Sequence, residues 1–158
     1  MKILYICTHN RCRSILSEAI TNHLAPDLIV AKSAGSQPAG AVHPLSLHYL
    51  DEAGIATDSL HSQSWDELED FAPDLVITVC DSAANEACPV WFGNAVQVHW
   101  GLSDPSKVQG SDEETEHAFR ECINTIRQRV KTLIPLAEQQ LRGQPLRDAL
   151  NERGISKL

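Results

Sequence analysis

Long apolar runs are absent. No stretch of the 158 residues approaches the ~20 consecutive apolar residues that a membrane-spanning helix needs, so a helical membrane protein is excluded. Positive charge is in deficit: 13 Lys and Arg stand against 21 Asp and Glu, a formal charge of −8, which argues against a nucleic-acid-binding surface. It does not exclude a small anion, whose binding local dipoles and single arginines decide. Aromatic residues make up only 5%, with two tyrosines, Tyr5 and Tyr49, so an aromatic clamp around a substrate has few residues to draw on. The five cysteines, Cys7, Cys12, Cys80, Cys88 and Cys122, include no CxxC pair and offer no zinc framework. Their odd number does not suit a disulfide scaffold either, which leaves reactive or buried thiols. There is no internal repeat and no low-complexity segment. The residues before Cys7 are too few for a signal peptide and read as a strand; a cytoplasmic monomer, with no membrane or nucleic-acid partner, is expected.

At 42% apolar and this length, the chain fits one domain with a core of its own. It is organised around Cys7-Thr8-His9-Asn10-Arg11-Cys12-Arg13-Ser14. An apolar run, Ile3-Leu4-Tyr5-Ile6, precedes this stretch, and a helical pattern of Ile15, Leu16, Ala19, Ile20 and Leu24 follows it. Strand, tight polar loop, helix is the order in which α/β proteins build an oxyanion site: the first N–H groups of the helix have no internal partner, and the helix dipole adds positive potential there. A thiol in that field is biased toward thiolate. Arg13 brings a planar two-pronged donor to the same point, and Ser14 can bond the sulfur or cap the helix. Asn10 tolerates the left-handed backbone such a loop needs. Taken alone, a cysteine ending a buried strand is also simply a small apolar residue.

Along the chain, residues 2–7 read as the first strand and 14–25 as the first helix, ending near Pro26. Residues 28–31 read as a second strand, running to Ser33-Ala34-Gly35, where glycine permits a turn. His43-Pro44 starts a second helix that stops at Gly54. After a polar connection, residues 65–70 suggest a short helical turn. Residues 75–79 form a continuous apolar run suited to a central parallel strand. Residues 81–87 read as a loop or one loose helical turn, residues 95–100 as an alternating fourth strand, and 101–112 as loop. From residue 113 a long amphipathic helix carries Phe119, Cys122, Ile123, Ile126, Val130 and Leu133, with Pro135 expected to end or kink it. A domain over 1–135 is therefore expected, with 136–158 a poorly ordered or loosely docked tail of unknown role. Four strands alternating with helices predict an α/β fold, a four-stranded parallel sheet with helices on both faces. Its ligands would bind at the carboxyl ends of the strands, where Cys7, Ser33, Cys80 and Trp100 all fall.

Residues 7–14 resemble the phosphate loop of the low-molecular-weight protein tyrosine phosphatase family, and most closely its thioredoxin-coupled arsenate-reductase branch. Ser33-Ala34-Gly35, Val79-Cys80, Cys88-Pro89 and His99-Trp100-Gly101-Leu102-Ser103-Asp104-Pro105 are similar to later segments of that family, in the same order and at about the same spacing, over roughly residues 2–130. The resemblance implies a substrate loop of Thr8, His9, Asn10, Arg11, Cys12, Arg13 and Ser14 around an arsenate, with phosphate or sulfate as competing oxyanions. It implies Cys7 as nucleophile, Arg13 as oxyanion ligand and Asp104 as general acid. By itself, Asp104-Pro105 would read as a turn; Asp112 is the competitor for the acid.

The same resemblance implies a thiol cascade. Cys7 would form an arsenic adduct, Cys80 would attack the Cys7 sulfur to release arsenite, and Cys88 would move the disulfide to Cys80–Cys88 for reduction by thioredoxin. Glutathione with glutaredoxin is the alternative reductant; relatives using it carry two of these cysteines almost adjacent, whereas here the position two after Cys80 is Ser82. No tightly bound cofactor is expected, though some relatives bind potassium through residues matching Asn10, Glu18 and Ser33. A further family aspartate falls at Ser64 here. Cys12 is a backup partner for Cys7, and Cys122, on the apolar helix face, reads as core. Two other classes stay open: a phosphotyrosine-protein phosphatase using only Cys7, Arg13 and Asp104, for which Ser106-Lys107-Val108 supplies no flanking tyrosine, and a redox or arsenic-sensing binding protein.

Overall fold

A computed structural model describes residues 1–85, 92–93 and 95–158 of the chain. The apolar run at the start forms β1 (Lys2–Ile6), in which residues 3 to 6 are buried. It is central because both its edges are used: β2 (Val30–Ala34) pairs on one side and β3 (Leu75–Thr78) on the other, both parallel, and β4 (Val96–His99) adds beyond β3. The order is β2-β1-β3-β4, with Tyr5 opposite Ser33 and Ile77. The chain leaves β1 in one direction to reach β2, then returns past it to β3. Right-handed crossovers in opposite directions place the connections on opposite faces, so the expected sheet with helices on both faces is what forms.

Helix α1 (Arg13–Leu24) is buried over eight consecutive residues, Ser14 to Thr21. Its apolar residues Leu16 and Ile20 cluster with Ile123, Ile126 and Val130 of α4 (Asp112–Glu138) and with Leu50 of α2 (Pro44–Glu52). Hydroxyls buried in such a helix need local partners. Ser17 Oγ donates to Arg13 O at 2.8 Å and Thr21 Oγ1 to Ser17 O at 2.7 Å. With that hydrogen used, Thr21 Oγ1 accepts from the Tyr5 hydroxyl at 2.8 Å, tying α1 to the central strand.

Three expectations need correction. The second strand begins at Val30 instead of residue 28, because the N–H groups of Leu28 and Ile29 both turn back to Ala25 O and hold the start of the apolar run in a turn. Pro135 does not end α4: the helix continues to Glu138, since Leu133, Leu136 and Ala137 are buried against the sheet and keep its last turn docked. The tail is not loose. Residues 143–152 form α5 (Gly143–Glu152), Leu146 and Leu150 are fully buried, and Ile155 joins the same cluster. Burying two leucines contributes about 1.5–3 kcal/mol each, enough to dock a short amphipathic helix. Between β3 and β4, α3 (Asp81–Ala84) is a single turn, as the polar sequence allows.

Candidate active site

Reversal of strand order between β1 and β3 opens a crevice at their carboxyl ends. Two loops meet there, residues 7–12 after β1 and Val79-Cys80 after β3. Helix α1 begins at Arg13, with Cys12 at its N-cap position, so its unpaired N–H groups face the loop.

The loop is held from outside by its carbonyls. Thr8 O accepts from Gln37 N, His9 O from Ala39 N and Arg11 O from His43 N, each at 2.9 Å. In a planar trans peptide the N–H points opposite its C=O, so the N–H groups of His9, Asn10 and Cys12 are turned inward. Gly35 permits the close approach of the outer segment: a Cβ there would lie 2.4 Å from Thr8 O and 2.6 Å from Cys7 O. Its φ is not positive, so Gly35 serves contact with the loop and not the turn expected of it.

Asn10 fixes the loop from within. It is fully buried with φ +46°, a left-handed conformation that asparagine adopts readily. Its Nδ2 donates to Ser14 Oγ at 2.8 Å and to Ser33 Oγ at 2.9 Å, and its Oδ1 accepts from Gln63 N at 2.9 Å. Ser33 Oγ in turn donates to Glu18 Oε1 at 2.6 Å. Burial raises the Glu18 carboxyl, with the Ser33 hydroxyl opposing. Asn10, Glu18 and Ser33 are thus brought together, but as a hydrogen-bonded network that holds the loop. Ser64, at the position of the family aspartate, has its hydroxyl committed to Asp66 N at 3.2 Å.

Arg13 reaches over the loop. Its Nη1 donates to Leu102 O at 3.0 Å and its Nη2 lies 3.6 Å from Asp104 Oδ2. Its Nε is buried and has no hydrogen-bond partner among the described residues, an unused donor beside the loop. Asp104 is held by Ser106, whose N–H (2.9 Å) and hydroxyl (2.6 Å) both donate to Oδ1. Ser106, Gln63 and the Leu102 carbonyl were not legible as parts of the site; only the position of Ser106 two residues after Asp104, a common capping distance, could have signalled one of them. Arg11 and His9 are exposed, and His9 Nδ1 lies 3.1 Å from Gln37 O. Asp112 opens α4 and is not brought to the crevice.

Cys7 and Cys80, both buried, face each other across the two loops. The hydrogen bond between their thiols is the largest influence on both. It lowers Cys80 to about 5, helped by backbone N–H groups of Thr8 and Ala83, and raises Cys7, which burial raises further despite Arg13 and the His9 N–H. The two thiols titrate as a coupled pair, with the lowering on the Cys80 side. The helix N-terminus and Arg13 were expected to lower Cys7; beside Cys80 and buried, its thiol is raised instead. Thr8 Oγ1 lies 3.8 Å from Cys80 Sγ. Cys12 is turned away into the cluster of α1, α2 and α4, where burial pushes its thiol up to about 11, so only its backbone N–H serves the loop. Cys122 is in the same cluster and is pushed up to about 12 by burial, as expected for core. Cys88 lies outside the described residues.

Residues 2–145 match the family described as low molecular weight phosphotyrosine protein phosphatase. The chain is 36% identical over 130 residues to an arsenate reductase of Halalkalibacterium halodurans, covering 82% of this chain and 92% of that one. It is 29% identical over 136 residues to a glutaredoxin arsenate reductase of Synechocystis, covering 84% and 95%. Among solved structures, an arsenate reductase in the phosphate binding state superposes with a TM-score of 0.71 at 25% identity, covering 86% and 98%. The Corynebacterium glutamicum thioredoxin-dependent arsenate reductase does so with a TM-score of 0.68 at 26% identity, covering 89% and 63%.

Proposed function

Since the chain belongs to the low molecular weight phosphotyrosine protein phosphatase family, we propose that it uses that family's loop to reduce arsenate to arsenite with electrons from thioredoxin. The observation that carries this reading is that the Cys7 and Cys80 thiols meet at the carboxyl ends of neighbouring strands, each the largest influence on the other's ionisation. A phosphatase needs one thiol, because water completes its cycle. A reductase must supply two electrons, and a second thiol touching the nucleophile is how a protein without a bound redox cofactor does so.

Arsenate enters the ring of inward N–H groups with the Arg13 guanidinium and the α1 N-terminus opposing its charge. The Cys7 sulfur attacks arsenic as its proton passes along the hydrogen bond to Cys80. One arsenic–oxygen bond breaks, and Asp104 gives the departing oxygen a proton so that it leaves as water. Cys80 then attacks the Cys7 sulfur, with its proton passing to an arsenic-bound oxygen. A Cys7–Cys80 disulfide forms, the sulfur–arsenic bond breaks with its electron pair going to arsenic, and arsenite is released. Cys88 attacks Cys80, freeing the Cys7 thiolate, and a dithiol of thioredoxin reduces the resulting Cys80–Cys88 disulfide, becoming a disulfide itself.

The test is steady-state arsenate reduction with thioredoxin, thioredoxin reductase and NADPH, against glutathione and glutaredoxin in parallel. NADPH oxidation with thioredoxin alone is the expected result. Turnover only with glutaredoxin would keep the reaction and replace the reductant. Absence of NADPH use with both, accompanied by rapid phosphotyrosine hydrolysis, would replace the reading with a phosphatase.

A further inference from the structure

The matched family ends at residue 145, yet the chain beyond it returns to the site. After α5, Gly154 turns the backbone with φ +69° and residues 155–158 run alongside β4, where Lys157 forms a parallel bridge with His99. In a parallel strand successive N–H groups point to opposite neighbours. From residue 99 to 102 this alternation is complete. Trp100 N donates to Thr78 O at 2.8 Å and Leu102 N to Val79 O at 3.1 Å, on the β3 side. His99 N donates to Ser156 O at 3.4 Å and Gly101 N to Leu158 O at 2.9 Å, on the outer side. Leu158 N returns a bond to His99 O at 2.8 Å, and the buried Trp100 indole N–H donates to Ile155 O at 2.6 Å.

These four bonds from the end segment fall on three residues, and the chain that leaves them carries Leu102 O, the anchor of Arg13, and Asp104. β4 is the edge strand of the sheet. Without residues 156–158 its outer side at 99–101 would have no backbone partner among the described residues, and the strand would be free to fray at the point from which the acid loop departs.

We propose that residues 155–158 are a positioning clamp: they extend the sheet by one short strand and fix the base of the acid loop, so that Asp104 and the Leu102 carbonyl stand in register with Arg13 and Cys7. The catalytic consequence rests on the reading of Asp104 as the acid of arsenate reduction. The clamp acts through the loop, and no part of it touches substrate.

Two variants test it, a chain ending at Ile155 and Trp100→Phe, each compared with the full chain. For the shortened chain, kcat for arsenate reduction falls about tenfold while KM changes less than about twofold, because a displaced acid affects the reacting step more than binding. Hydrogen exchange at Gly101 and Leu102 quickens at least about tenfold, and the alkylation rate of Cys7 stays within about twofold. Trp100→Phe, which keeps the packed ring and removes one donor, gives a smaller change of the same pattern. Unchanged kcat in the shortened chain overturns the proposal. So does a fall in which Cys7 alkylation, melting temperature and kcat all move together, which would mark the segment as general support for the fold. If the full chain itself reduces no arsenate, the functional reading fails separately. The clamp is then decided by exchange alone: faster exchange confined to 99–104 upholds it, and unchanged exchange removes it.

Discussion

Replacing Asn10 by alanine tests whether the loop is held by its internal network. The substitution removes three hydrogen bonds, to Ser14, Ser33 and the Gln63 N–H. The Gln63 N–H then has no acceptor in a site where Asn10 itself is fully buried, which costs about 1–3 kcal/mol. The two serine oxygens each lose a donor, about 0.5–1.5 kcal/mol apiece. Alanine must also hold φ +46°, a further cost of about 1–2 kcal/mol. The loss is therefore at least about 3 kcal/mol, a large share of the 5–15 kcal/mol typical of a domain. Asn10→Gly accepts the backbone conformation but restores no hydrogen bond and loosens the unfolded chain, so it should recover only about 0.5–1 kcal/mol of that loss. Equilibrium urea unfolding measures both, with the midpoint falling and the slope unchanged. Arsenate turnover per folded molecule should fall with them, because the inward N–H groups lose their arrangement. A loss below about 1 kcal/mol in Asn10→Ala, at constant slope, would refute the network as what shapes the loop.

Three further outcomes are expected. Cys88→Ser should complete one turnover per enzyme and then stop, trapping Cys7–Cys80 as a disulfide visible by mass; continued turnover would remove Cys88 from the cascade. Asp104→Asn should slow arsenate reduction by roughly 10²–10⁴-fold, the range of a lost general acid, with rapid-quench rates as the measure and an unchanged rate moving that role elsewhere. Absorbance at 240 nm should show one thiolate forming with a midpoint near pH 5, the value to which Cys80 is lowered, and Cys80→Ser should abolish it. Because folding lowers that pKa, the contribution of Cys80 to stability is present in full above its unfolded value and fades as pH falls toward 5. A Cys80→Ser protein that still titrates there would place the charge on Cys7.

Much of the fold was legible because it rests on local pattern. The unbroken run Ile3-Leu4-Tyr5-Ile6 announces a strand buried on both faces, and residues 75–79 do the same for its neighbour. Cys7, Ser33, Cys80 and Trp100 could be placed at one end of the sheet from strand order alone. The start of β2 was not legible, because the turn at Ala25 competes with an apolar run for the same N–H groups and only the packed chain decides between them. The tail misled for a related reason: Leu141, Leu146 and Leu150 give a weak periodic signal, and its worth depends on an exposed flank of β4 that no sequence window displays.

The chemistry divides along the same line. Helix N-terminus, thiol and arginine are a local signature, and they suggested a Cys7 thiolate. What sets the charge is the distance between two loops that lie more than 70 residues apart in sequence and meet only because β1 and β3 are neighbours. Once Cys80 stands against Cys7, the two thiols bind protons as a pair, and the backbone N–H groups of Thr8 and Ala83 add to the lowering of Cys80. The shift has a consequence for an anionic substrate. In the proposed mechanism a proton held on Cys7 keeps the sulfur beneath the incoming oxyanion neutral, which lessens like-charge repulsion in a buried site. On the same proposal the proton moves off Cys7 as its sulfur meets arsenic. In that proposal the second cysteine serves twice, first taking the proton of Cys7 and afterwards attacking its sulfur.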